Sequence, residues 1–300
     1  MKNIKSNVTA ATMSQTPFDI NVRRDVKWDY STVSETFVKG DPLISYLWAA
    51  LSIATPPVER FFVRALKPTV STIKNDDKLI ADVNNMIAQE VLHSAAHIQF
   101  NNHLESIGYD VKGVTEFTHG VIAKTTAGLS PVDMLGVVAA GEHGLYSFAQ
   151  AFIRDSGLRK AMHPQVDRLF LYHMLEEAEH GAVSHDQYRY FVGNNYFHRI
   201  KTAYRTRYLF GMITGSVDMI AKKFEYKITL RSRLALFRYL WIYPGILRKL
   251  ALNLLQYLAP WYKLTFTHED EQFMQKWNDE LYAGQPQQSV VTNNPVQAAL

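Results

Sequence analysis

Apolar residues recur at helical spacing along most of this chain, and nowhere do they alternate as a run of strands would, which predicts an all-α fold. Residues 1–40 are polar, with few periodic apolar positions, and are expected to wrap the surface or fray. Residues 46–53 read as a short apolar helix stopped by Pro56 and Pro57. Those prolines suit the first turn of a following helix that carries Glu59, Phe62, Val63 and Leu66. A long amphipathic pattern covers 76–107, holds Glu90, His93, His97 and Asn101, and closes at Gly108. The stretch 108–130 reads as a linker with a short helix. Ser130, Pro131 and Asp133 then supply an N-cap, an N1 proline and a capping-box acid. The helix they open is nearly all apolar to Ile153, with Glu142 in its middle. After Gly157, Pro164 opens another helix that ends near Gly193. This pattern divides the chain into an arm (1–40), a bundle (41–195), additional helices packed on it (196–283) and a polar, disordered tail (284–300).

The chemistry concentrates in residues 171–190. Leu171, Leu175, Ala178 and Ala182 form a packed stripe, and His173, Glu177 and His180, at i, i+4 and i+7, share one narrow face beside it. Glu-x-x-His occurs three times, at Glu90–His93, Glu116–His119 and Glu177–His180. The first and third are each preceded by a helix bearing a lone glutamate, Glu59 and Glu142, whereas the copy at Glu116 is not and is set aside. Two helices with a lone Glu and two with Glu-x-x-His make the ligand set of a carboxylate-bridged dinuclear site in a four-helix bundle. Four carboxylates neutralise two divalent cations held close together, and an imidazole caps each. Glu59, Glu90, His93, Glu142, Glu177 and His180 are therefore the expected ligands. His173 is a seventh, the alternative being a histidine behind the ligands. His97 and Asn101 are expected behind the ligands, His97 with a channel-lining role as its alternative. Asp186 is expected to orient a ligand histidine through its free ring N–H. Glu176 and Glu179 are expected to face other partners, and His143 to point elsewhere on its helix.

Composition narrows the metal. The chain has 300 residues, 47% hydrophobic and 20% charged, enough for a substantial core. It has no cysteine, which excludes disulfides, thiolate metal sites, Fe–S clusters and cysteine nucleophiles. Any metal sits on His, Asp and Glu, which points to iron, manganese or zinc. The first residues lack the apolar core of a signal peptide, and no long apolar run lacks charge, so a cytoplasmic protein is expected.

These residues resemble a bacterial family catalogued as predicted metal-dependent hydrolases. The resemblance rests on Pro57-Val58-Glu59-Arg60-Phe61-Phe62-Val63, on Gln89-Glu90 with His93, His97 and Asn101, on Gly141-Glu142-His143, and on Tyr172-His173 with Glu176, Glu177, Glu179, His180 and Asp186. It covers roughly residues 20–270 and implies a ferritin-like bundle. Tyr172, where the family tends to have Trp, and Pro57-Val58, where it tends to have Pro-x-Gly, depart from the pattern. The spacing of His173, Glu177 and His180 is also similar to that of diiron arylamine N-oxygenases, in which an extra histidine joins six ligands. That resemblance implies two irons activating dioxygen for oxidation of a small apolar organic substrate, with electrons from a ferredoxin or reductase, since no flavin or nicotinamide motif is apparent. The alternatives are hydrolysis of an ester or phosphoester by a metal-bridging hydroxide, and iron handling of the ferritin type.

Charge sets the last third apart. Residues 199–249 carry twelve Lys and Arg against Asp218 and Glu225 alone, interleaved with Phe210, Tyr239, Leu240, Trp241 and Tyr243, in a chain of net charge +4. Extra helices with a solvated basic face are the first reading. Contact with a membrane surface or an acyl chain is the second. Nucleic acid is set aside because no groove-reading motif is visible. Pro244-Gly245 divides the stretch into two helices, and a homodimer is left open.

Overall fold

The computed structural model describes residues 12–17, 19–264 and 266–283. The remainder of the arm and the tail beyond 283 lie outside the described residues. Among the described residues there are helices and no strands, only one isolated bridge between Val38 and Met162. Four helices surround the site: α1 (Pro42–Val70), α2 (Asp77–Ser106), α4 (Pro131–Ile153) and α6 (Pro164–His180), with α3 (Val111–Thr126) between α2 and α4. A short α5 (Ser156–Lys160) joins α4 to α6, and α7 (Val183–Val192) follows α6.

Two apolar clusters, one at each end of the bundle, fix the topology. Trp48, Phe100, Phe152 and Phe170 belong to the first, and Phe62, Leu79, Val83 and Val138 to the second. Helix α1 runs from the first to the second, α2 and α4 run back, and α6 runs with α1. Val114 and Ile122 of α3 fall in the first and second cluster respectively, so α3 is the crossover that returns the chain to the end where α4 begins. Each bundle helix thus crosses a middle layer between two oily ends. Glu59, Glu90, Glu142 and Glu177 sit in that layer.

Local signals explain most helix ends. Asp76 accepts the Leu79 N–H and caps α2, and Ser130 and Asp133 form the reciprocal capping box of α4. Three expectations are corrected. Residues 108–130 contain a full helix, α3, rather than a linker with a short one. The helix opened by Pro164 breaks at Gly181. A side chain there would collide with the Tyr146 ring (2.5 Å from an added Cβ), so glycine allows the close approach of α4.

Third, Pro56 and Pro57 do not end a helix. Helix α1 runs straight through both. A proline inside a helix removes one N–H and leaves the carbonyl four residues earlier unpaired, at a cost of about 3 kcal/mol. Here the carbonyl of Ser52, which Pro56 strips of its partner, accepts a hydrogen bond from Asn101 Nδ2 at 3.1 Å. Burial of both prolines between apolar neighbours offsets the remainder.

The C-terminal part holds α8 (Tyr196–Ala203), α9 (Arg207–Lys223), α10 (Leu230–Phe237) continued by a π turn to Ile242, α11 (Ile246–Tyr257) and α12 (His268–Tyr282). It is richer in helices than the expected pair, although α10 and α11 do meet at Pro244-Gly245. Tyr239 locks it to the bundle, accepting the Trp48 indole N–H at 2.8 Å with both side chains buried. No helix among the described residues is long and apolar enough to cross a membrane.

Candidate metal centre

The seven side chains singled out by the sequence converge. Glu59, His93, His173 and Glu177 form one group and Glu90, Glu142, Glu177 and His180 a second, the candidate ligand atoms of each lying within 4.8 Å of one another. Glu177 belongs to both groups and links them. All seven are buried, at 4% relative exposure or less. Their counterpart at Glu116 and His119 lies exposed on α3 and joins neither group.

Removing four carboxylates from water is costly unless positive charge faces them. Glu90 Oε1 and Oε2, both oxygens of Glu142, Glu59 Oε1, Glu177 Oε2, His93 Nδ1 and His180 Nδ1 have no hydrogen-bond partner. Buried polar atoms are rarely left this way. Clustered and aimed at one another, they fit a pair of divalent cations, which would satisfy the orphaned atoms and balance the four carboxylates. The protonation pattern agrees. Burial, reinforced by Glu90, pushes the Glu59 carboxyl well above the usual range, and burial reinforced by Glu177 does the same to Glu142. Burial also acts against Glu177, but the His173 and His180 rings beside it outweigh burial and hold that carboxyl below the usual range. Burial lowers His180, yet Glu142, Glu177 and Glu90 prevail and raise it. Burial and the neighbouring His173 push His93 well down.

Each histidine has a polar neighbour behind it, while its other nitrogen faces inward. His180 Nε2 donates to Gln89 Oε1 at 2.8 Å, and Gln89 in turn donates to Glu179 Oε2 at 2.7 Å. His93 turns Nε2 to Glu176 Oε2, 2.8 Å away. Arg23 spans both outer carboxylates, 3.3 Å from Glu176 and 2.5 Å from Glu179. Glu59 Oε2 accepts the Ser94 hydroxyl at 2.7 Å.

The support of His173 is a chain whose proton order can be deduced. Because Asn101 Nδ2 donates to Ser52 O, its Oδ1 accepts the Ser52 hydroxyl at 2.8 Å. The Ser52 oxygen then accepts from His97 Nδ1 at 2.8 Å. That leaves His97 Nε2 as an acceptor for His173 Nδ1–H at 2.8 Å. His173 Nε2 therefore faces the centre, 2.8 Å from Glu177 Oε1 and 3.3 Å from Glu59 Oε1. Burial, with His173 and His93 adding to it, keeps His97 neutral, as this order requires.

His97 and Asn101 thus stand behind His173. Asp186 does not stand behind any ligand. The break at Gly181 carries it away on α7, where it accepts the Gln15 N–H at 2.7 Å and lies 3.7 Å from Arg189. The orienting contacts expected of it come from Gln89 and Glu176. Glu176, expected to face other partners, faces Arg23 and His93; Gln89, Ser52, Ser94 and Arg23 carry no role in the sequence reading. Gln89 and Glu176 each immediately precede a ligand glutamate, which was a usable signal. Arg23 comes from the irregular arm and gave none. His143, as expected, points elsewhere, to Asn253 O and the Tyr262 hydroxyl.

Comparison with curated proteins and with solved structures finds no match. A family model described as predicted metal-dependent hydrolase matches residues 22–263, a span that holds all seven converging side chains and the residues behind them. The chain, with its buried histidine and glutamate clusters, belongs to the predicted metal-dependent hydrolase family.

Proposed function

We propose that this protein is a diiron oxidase or oxygenase with a ferritin-like centre, acting on a small, apolar organic substrate. Glu59, Glu90, His93, Glu142, His173, Glu177 and His180 would hold the two ions. The observation that carries the reading is the ligand chemistry of this water-poor layer. Four carboxylates and three inward-facing imidazole nitrogens suit two irons better than the harder, all-oxygen cations. Bound there, the iron pair would supply two-electron reduction of dioxygen.

The chain's own residues do the rest. Glu177, shared by both groups, keeps the two halves in register. The sequence Asn101–Ser52–His97 fixes the orientation of the His173 ring, so that Nε2 is the nitrogen offered to a metal. Arg23 neutralises outer carboxylates that would otherwise compete for protons on His93 and His180. Apolar clusters at both ends of the layer favour entry of apolar molecules, dioxygen included, over charged esters. Insertion of one oxygen atom into substrate releases the other as water and takes up two electrons and two protons. An external ferredoxin or reductase would provide the electrons.

A second reading, metal-dependent hydrolysis, is favoured by the family's description. One experiment separates the two. Ferrous protein prepared without oxygen is exposed to air with a reductant, and oxygen uptake is followed. Uptake that depends on iron supports the oxidase. Ester or phosphoester cleavage by zinc-loaded protein, with no oxygen uptake by the iron form, supports the hydrolase.

A further inference from the structure

The surface of the C-terminal part reverses the usual rule for a helix packed on a domain. Leu230, Leu234, Phe237 and Trp241 follow one another at i, i+4, i+7 and i+11 along α10 and its π turn, the spacing of a single stripe. That stripe faces outward, with exposures of 73%, 58%, 53% and 41%. Helix α11 does the same: Ile246 and Leu250 are buried, while Leu252 and Leu255 are 69% and 62% exposed, followed by Trp261 at 83%. Among the described residues, Val91, Ile98 and Phe117 are the only exposed large apolar side chains before residue 197. The apolar surface is therefore concentrated in one segment of the chain.

Charge identifies what covers it. Between Glu225 and Glu269 there is no acidic residue, whereas Lys227, Arg231, Arg233, Arg238, Arg248 and Lys263 all lie there. Arg231, Arg233 and Arg238 are exposed, flank the α10 stripe, and form no ion pair among the described residues. A second copy of this chain would bring like charges together, at a cost at every arginine. An anionic bilayer accepts all the features at once. Its headgroups take the arginines, its upper acyl layer takes leucine and phenylalanine, and tryptophan and tyrosine favour the boundary between them.

We propose that α10, its π turn and α11 form a monotopic docking face for an anionic lipid surface, binding in the plane of the interface without crossing it. The test uses the full chain, metal-loaded as purified, sedimented with vesicles of phosphatidylcholine alone or with about 30% phosphatidylglycerol. The expected result is binding to the anionic vesicles, little to the neutral ones, and release in high salt. Replacing Leu234, Phe237 and Trp241 together by serine should lower partitioning on the order of tenfold or more. The pair Arg231→Gln and Arg233→Gln should lower it by a similar factor. All these side chains are exposed, so metal content and Tm should stay unchanged. The salt and lipid-charge dependence of the unaltered chain tests the proposal without any variant. Absence of binding to anionic vesicles overturns it, as does equal, salt-insensitive binding to both vesicle types. So does a wild-type dimer that the serine variant converts to monomer, which would assign the face to a second copy.

Discussion

The middle layer of the bundle and the outer face of α10 and α11 invert the ordinary partition of side chains in opposite senses. In the first, four glutamates and three histidines are sealed from water between apolar clusters. In the second, leucine, phenylalanine and tryptophan stand in solvent beside exposed arginines that form no ion pair among the described residues. Neither arrangement stabilises the chain alone. Each has a proposed partner, cations for the carboxylates and a lipid surface for the stripe. The pair teaches that polarity in the wrong place is a stronger sign of function than any short motif. The exposed Glu116 and His119 match Glu-x-x-His and have no such strain to relieve.

The largest effect expected is at the residue shared by the two ligand groups. Glu177→Ala should abolish retention of both ions and reduce iron-dependent oxygen uptake by more than about 100-fold, since changes to mere supporting contacts already cost 10–100-fold. Metal analysis and an oxygen electrode read it, and vesicle binding should be unaffected if the two regions act independently. Next comes the chain behind His173. Asn101→Leu removes the acceptor that orders Ser52 and His97, so affinity for the ion in the Glu59, His93 and His173 group should fall about 10–100-fold while the other ion is held. A metal titration of the apoprotein would show one tight and one weakened step. Equal weakening of both would mean a general loss of structure rather than misdirection of one imidazole.

A smaller effect is set by pH. Burial pushes the Asp186 carboxyl up to about 7, well above its unfolded value near 3.8. A raised folded pKa means that its favourable contribution is complete below about pH 3.8 and is lost as pH rises through 7. Asp186→Asn should therefore raise Tm by several degrees at pH 8 relative to wild type, with the gap closing toward pH 5. Thermal melts across that range decide it, and a gap that widens in acid would contradict the assignment. Smallest is the α4 cap: Ser130→Ala should cost about 1 kcal/mol in denaturant unfolding and leave metal content intact.

The sequence made much of this visible because helix signals and ligand spacing are both local. Ser130 and Asp133 cap the helix they were expected to cap. The seven converging residues lie at the helical positions from which they were singled out. What stayed hidden depended on distant partners. Pro56 and Pro57 read as a stop because the carbonyl that Pro56 frees is satisfied by Asn101, on another helix. Asp186 was misplaced because Gly181 breaks the helix to let Tyr146 approach, a contact between helices that no local pattern records. Arg23 sits in a stretch without periodicity, and only the fold brings it to Glu176 and Glu179. The outward stripe of α10 has the same period as an inward one. Periodicity gives the face of a helix but not which way it is turned.

The central claim is that the middle layer is built for two ions. Anaerobic titration of apoprotein with ferrous iron, followed by calorimetry, measures this directly. The account predicts a break at about two equivalents per chain, with Tm rising as the sites fill. A folded apoprotein that takes up no iron, or saturates at one equivalent with Glu142 replaceable by glutamine without effect, would contradict it.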